Sequence, residues 1–143
     1  MTDQGSTNFL FIPYSYSAIS GVILHGASQT VPLLLDQDAD FELHEIVVGT
    51  NSDALTDAAA AAIRPNYCAL QIADKTNGRL WSDGLVPQAI YSRVPGGFKL
   101  YRPVLLARRS NLAVTFTNIT AATDTLICAL YLLGAKVLQY GAR

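Results

Sequence analysis

Apolar and polar residues alternate along much of the chain in short runs with a period of two, the pattern of strands that turn one face to a core and the other to water. The clearest case is Asn111 to Asn118, where Leu112, Val114 and Phe116 fall on one face and Asn111, Ala113, Thr115 and Thr117 on the other. Similar runs predict strands over Phe9 to Tyr16, Ile19 to Leu24, Thr30 to Leu35, Phe41 to Val48, Tyr67 to Ala73 and Phe98 to Leu106. Pro13 in the first of these and Pro103 in the last suit an edge strand or a bulge, because proline has no N–H to give to a ladder. Thr125 to Leu133 breaks the alternation. It is apolar at every position from Leu126 to Leu133, which predicts a central strand covered on both faces.

The punctuation between these runs is equally regular. Asp36-Gln37-Asp38-Ala39-Asp40 reads as a polar turn, Gly49 closes the strand after it, and Asn77-Gly78 is the strongest hairpin signal because both residues tolerate positive φ. Ser82 to Gly97 holds Gly84, Pro87 and Pro95-Gly96-Gly97 and reads mostly as loop. Asn51 to Arg64 is the exception to the β pattern. Its Ala58 to Ala62 run favours helix, Asn51 or Ser52 can cap the start and Pro65 supplies a stop, so a single short helix or an ordered loop is expected.

Roughly eight short, evenly spaced strands with Gly and Pro turns and one helical insertion predict an all-β fold, an antiparallel β-sandwich or jelly roll. No repeat of 20 to 50 residues is evident, which argues against a propeller or solenoid. The 143 residues suit one domain. Met1 to Thr7 is polar and small, so residues 1–17 are read as an N-terminal arm and edge strand and residues 18–143 as a single β-sandwich domain.

Composition narrows the functions open to such a fold. Half the residues are apolar and 15% are charged, against about 25% in typical globular chains, so disorder driven by charge is excluded. The net charge of −1 gives no general attraction to nucleic acid or to an acidic membrane, and neither is expected as a partner. The most apolar run, Leu126 to Val137, is broken by Gly134 and Lys136 and falls short of the ~20 residues of a spanning helix. Phe9 to Ile12 is too short for a signal-peptide core and follows Asp3 with no Lys or Arg, so no cleaved signal is expected. Seven of the ten basic residues are Arg, which tolerates interface burial better than Lys. Such a profile predicts a surface largely covered by other protein.

The catalytic inventory is thin. His25 and His44 are the two histidines, 19 positions apart and without another ligand at metal-binding spacing, so neither an H-x-H cluster nor a cupin-type site is expected. Asp36, Asp38 and Asp40 copy the first three ligand positions of a calcium loop, but Phe41 stands where that loop requires Gly and Val47 where it requires Glu. The three are therefore read as turn residues whose carboxylates bond their own backbone. The G-x-S-x-G elbow and both glycine-rich phosphate loops are missing, and no carboxylate pair can be placed together from the sequence. Asn118-Ile119-Thr120 fits a glycosylation sequon but reads as a turn after a strand. Cys68 and Cys128 each lie in an apolar run and are read as buried reduced thiols, with a bridge between adjacent strands as the alternative. No catalytic residue, metal or cofactor is expected.

Residues suited to contacts are easier to find. Phe9, Phe11, Tyr14 and Tyr16 cluster near the start of the chain with no basic residue between Met1 and Gln37, unlike a nucleic-acid stacking platform. They predict an aromatic arm that packs on a neighbour or on its own sandwich. Arg108-Arg109, between two strands, reads as a loop tip that contacts carboxylates. These six residues are the candidate interface.

Three stretches of the sequence, Asp38 to Leu43, Gln71 to Trp81 with Val86-Pro87, and Arg102 to Leu106 through Asn111 to Asn118, together with Leu132-Leu133-Gly134-Ala135-Lys136, resemble small virion structural proteins of tailed bacteriophages. The resemblance covers most of the chain from about residue 36 onward and is carried by strand and turn patterns, not by a chemical signature. It implies a jelly-roll subunit without enzymatic activity, of the capsid cement or decoration type. Its partners would be further copies of itself, as a dimer or trimer, and the major capsid protein. It would lie on the exterior of the phage head after assembly in the host cytoplasm, clamping capsomers against the pressure of packaged DNA through many identical contacts. The alternatives are a neck, collar or tail subunit and, from a different class, a ligand-binding or enzymatic jelly roll.

Overall fold

Short runs rich in aliphatic, aromatic and β-branched residues give nine strands, all paired antiparallel, in a computed structural model that describes residues 8–51, 67–87, 91, 98–120 and 125–140. They are β1 (Asn8–Ile19), β2 (Ser28–Leu34), β3 (Asp40–Asn51), β4 (Cys68–Asp74), β5 (Arg79–Leu80), β6 (Val86–Pro87), β7 (Phe98–Leu106), β8 (Asn111–Asn118) and β9 (Ile127–Tyr140). One sheet has the order β1-β9-β3-β7 and the other β2-β8-β4-β5, with β6 also paired to β4. Successive strands fall in opposite sheets except at β4, β5 and β6, so the chain winds round the core as a double-sheet jelly roll. The short β5 and β6 share one edge position beside β4, which leaves eight positions in the sandwich.

Each inner face supplies one half of the core. Leu112, Val114 and Phe116 of β8 and Leu70 and Ile72 of β4 meet Phe41, Leu43, Ile46 and Val48 of β3 and Leu130 and Leu132 of β9, all buried. The alternation expected for Asn111 to Asn118 is therefore present with the predicted residues inside. The hairpin expected at Asn77-Gly78 joins β4 to β5, with Gly78 at φ 72°, where a side chain would be strained. Asp74 and Asn77 brace it by accepting the N–H groups of Thr76 and Arg79 at 2.9 and 3.0 Å.

Several elements differ from expectation. β1 runs on to Ile19, across the boundary drawn after residue 17, and Ile19 to Leu24 does not form a strand of its own. Ser20 and Ile23 stay hydrogen-bonded to Cys128 and Leu126, and the chain then crosses to the other sheet. β9 is central, as predicted, but continues through Gly134 and Lys136 to Tyr140. Gly134 is required there. β3 bulges between Leu43 and Glu45, and a Cβ on Gly134 would drive into the Glu42 carbonyl oxygen and press on the Phe41 ring. The predicted arm Met1 to Thr7 lies outside the described residues, as does the predicted helix beyond Asn51.

Candidate interaction surface

The outer faces of the two sheets differ in kind. On the β2-β8-β4 sheet most outward positions are small or polar, with Pro32 and the exposed Leu34 of β2 as exceptions. Hydroxyls pair across strands, Ser28 with Thr117 at 2.7 Å and Thr30 with Thr115 at 2.9 Å, and Gln71 reaches the Ser82 carbonyl at 3.3 Å. On the β1-β9-β3-β7 sheet the register lines up outward side chains in rows that mix apolar residues with serines and charges. Pro13, Ala135, Glu42 and Leu105 form one row; Ser15, Leu133, Glu45 and Lys99 the next; Ser17, Tyr131 and Val47 a third; Ile19, Ala129 and Gly49 a fourth. Phe9, Phe11, Ile19, Leu105 and Tyr131 are all exposed. The second face of Leu126 to Leu133 is expected to be covered; Cys128, Leu130 and Leu132 on one side are buried, while Ile127 and Tyr131 on the other are exposed among the described residues. The sequence marks this strand as apolar on both sides because both sides need cover, and the described residues provide it on one.

The same sheet overhangs the sandwich at one end. β9 gains β3 only from Val137 back, so Asn8 to Leu10 and Leu138 to Tyr140 form a two-stranded ribbon. Phe9 and Phe11 project from one side of β1 and Leu10 and Ile12 from the other, and all four are exposed. A two-stranded ribbon with both faces apolar gains little stability by itself in water.

Just inside the overhang, polar groups plug the end of the core. Lys136, nearly buried on the inner face of β9, donates to Asp36 Oδ2 at 2.8 Å and to Asp38 Oδ1 and Oδ2 at 3.1 and 3.2 Å. Its ammonium also sits 4.1 Å from the centre of the Tyr14 ring. Tyr14 Oη donates to Asp36 Oδ2 at 3.2 Å. The aspartates therefore do not bond their own backbone, as the turn reading has it; a lysine ammonium holds Asp36 and Asp38 where a calcium loop would hold its ion. The third aspartate, Asp40, accepts the Arg108 backbone N–H at 2.9 Å and Nε at 3.2 Å. Lys136 hydrogen bonding holds the Asp36 carboxyl below its ordinary value, and Asp36 in turn raises Lys136. Asp40 is lowered by the Arg108 backbone N–H first and by its side chain next.

The six sequence-predicted contact residues divide among these features. Phe9 and Phe11 lie on the open face and Tyr14 at the plug. Tyr16 is in the core, its ring edge-on to Phe41 at 5.0 Å and its hydroxyl accepting the Asp36 N–H at 3.1 Å. Arg108 contacts a carboxylate, as a loop tip would, and Arg109 takes the left-handed turn position at φ 63°. Ile19, Leu105, Ile127 and Tyr131 were not singled out from the sequence; only a register can show that they share a face with Phe9 and Phe11.

Groups with chemical potential are dispersed. His25 Nδ1 lies 3.4 Å from Thr120 Oγ1, and His44 Nε2 lies 2.6 Å from Glu42 Oε1. Among the described residues no three metal-binding side chains come together. Asn118 of the sequon is buried, donating to the Ile23 carbonyl at 3.0 Å and accepting from the Thr120 N–H and Oγ1 at 3.0 and 2.7 Å. Cys68 and Cys128 are buried free thiols on opposite sheets, not on adjacent strands, and Cys68 donates to Cys128, which pushes its own thiol well above the ordinary range. A cavity of about 470 Å³ opens between β3, β7 and the β5–β6 edge. Trp81, Tyr91, Phe98 and aliphatic side chains line it, with Ser82 as the one small hydroxyl and no acid–base pair among its described residues. Neither the models of known protein families nor the curated proteins match this chain.

Proposed function

We propose that the protein is a non-enzymatic structural subunit of a tailed-bacteriophage virion, a cement protein that binds the outside of the head and stabilises contacts between capsomers. The reading is supported chiefly by one observation: among the described residues, the outer face of the β1-β9-β3-β7 sheet presents the large apolar side chains of Phe9, Phe11, Ile19, Leu105 and Tyr131 to solvent. Apolar patches of this extent mark association surfaces. Histidines engaged singly with a hydroxyl or a carboxylate, and an apolar cavity without a titratable pair, favour assembly over catalysis. Many copies, each held by modest contacts, would together reinforce a shell.

Electron microscopy of particles that carry the labelled protein, compared with particles that lack it, tests the reading. Label spread over the head, hundreds of copies per particle and earlier rupture of heads without it are the expected results. About a dozen copies at one vertex or along the tail would move the subunit to the neck, collar or tail. Absence from particles, with turnover of a small substrate by the free protein, would overturn it.

A further inference from the structure

We infer that the outer face of the β1-β9-β3-β7 sheet is the surface by which two copies of this chain associate, face to face about a twofold axis. The inference rests on the structural-subunit reading and names the contact within it. Two modes of self-association are open to a sandwich, edge to edge and face to face, and the fold disfavours the first. Pro13 lies in β1 and Pro103 in β7, the two edges of this sheet; Pro32 lies in β2, the edge of the other sheet, and Pro87 in the short β6. The central strands β3, β4, β8 and β9 have none. Proline on edge strands is how sheets are kept from extending through their ladders.

Of the two faces, the one built on β8 is finished with paired hydroxyls. The other carries its large apolar side chains along β1 and β9, interrupted by Ser15 and Ser17, and its charges lie along β3 and β7. The carboxylates there are engaged within the face, Glu42 hydrogen-bonded with His44 at 2.6 Å and Glu45 opposite Lys99 in register. A face whose carboxylates are already engaged within it offers little free charge with which to select an acidic or a basic partner. It suits an identical face, since a twofold contact can stack β1 and β9 of both copies while the charged strips stay at the rim. Its size is adequate. Four strands at roughly 4.8 Å and about 35 Å of ladder give a flat footprint on the order of 650 Å², close to the ~800 Å² per partner of a stable interface. Tyr131, near the middle of the face and 37% exposed, is the central anchor, and Ile19, at 55%, lies toward one end of the strip.

Sedimentation of the full chain at micromolar concentration tests the inference. The expected mass is that of two chains, and Tyr131→Asp should halve it while leaving the far-ultraviolet spectrum of the sandwich intact. Ile19→Lys, on a more exposed side chain, serves the same purpose if Tyr131→Asp fails to fold. Thr115→Asp, on the opposite sheet, should leave the dimer unchanged. A wild-type monomer, a trimer, or folded Tyr131→Asp and Ile19→Lys proteins that still sediment as dimers would each overturn it. Binding of the same variants to heads lacking the protein separates the two readings. A wild-type monomer that still coats heads defeats the face-to-face contact alone, and a dimer that never appears on particles defeats the virion role alone.

Discussion

Gly134 shows how one missing side chain sets the register of a whole sheet. The bulge in β3 brings the Glu42 carbonyl against β9 at this position, and only hydrogen fits in the space. Gly134→Ala should cost about 3 kcal/mol or more, through displaced backbone in two central strands, measured as a shift of the urea midpoint. A loss below 0.5 kcal/mol, the range of inert surface changes, would mean that β3 and β9 can separate there freely. The thiols give a second test at this scale. Cys68 and Cys128 are fully buried, and a polar disulfide reagent should modify neither in the native protein and both after denaturation. Rapid modification of the native protein would show that the two sheets part easily.

Strands are where the sequence was most legible. Asn111 to Asn118 and Phe98 to Leu106 could be bounded to the residue, the first by alternation and both by flanking turns, and proline marked β1 and β7 as edges. Where the pattern misled, a tertiary pairing had overridden a local sign. Gly134 and Lys136 look like the end of a strand, yet the space beside Glu42 needs the glycine, and Asp36 and Asp38 neutralise the lysine. Tyr16 resembles its neighbours in the aromatic arm and differs only in facing Phe41. The apolar surface was legible as composition but not as a place, because it gathers residues from four strands distant in the chain. The edge prolines carry their own prediction. Replacing Pro13 and Pro103 together by Thr should leave the fold intact and drive the protein into larger, salt-insensitive aggregates, seen by light scattering. An unchanged size distribution would show that these edges are guarded by something other than proline.

At the scale of the molecule, the end of the sandwich beside the plug is held by charge and the interior by apolar packing, so acid should act on that end first. Asp36 has a lowered carboxyl, so its contribution is complete above its ordinary value and drains away as the pH falls below about 4. Lys136 is raised, so its contribution is complete below about 10 and fades as the pH rises through its folded value. The melting temperature should therefore drop on acidification below about pH 4, and Lys136→Met should lower it at neutral pH while flattening that acid slope. An acid slope identical in the two proteins would place the sensitivity elsewhere.

Asn8 and Tyr140 are register partners, so the first described strand is completed by the last. During translation β1 emerges with nothing to pair with until β9 has been made. Its greasy residues Phe9 to Ile12 then stand unprotected beside the ribosome, a stage at which holdase chaperones would find their target. The sheet closes late, when β9 takes its place between β1 and β3.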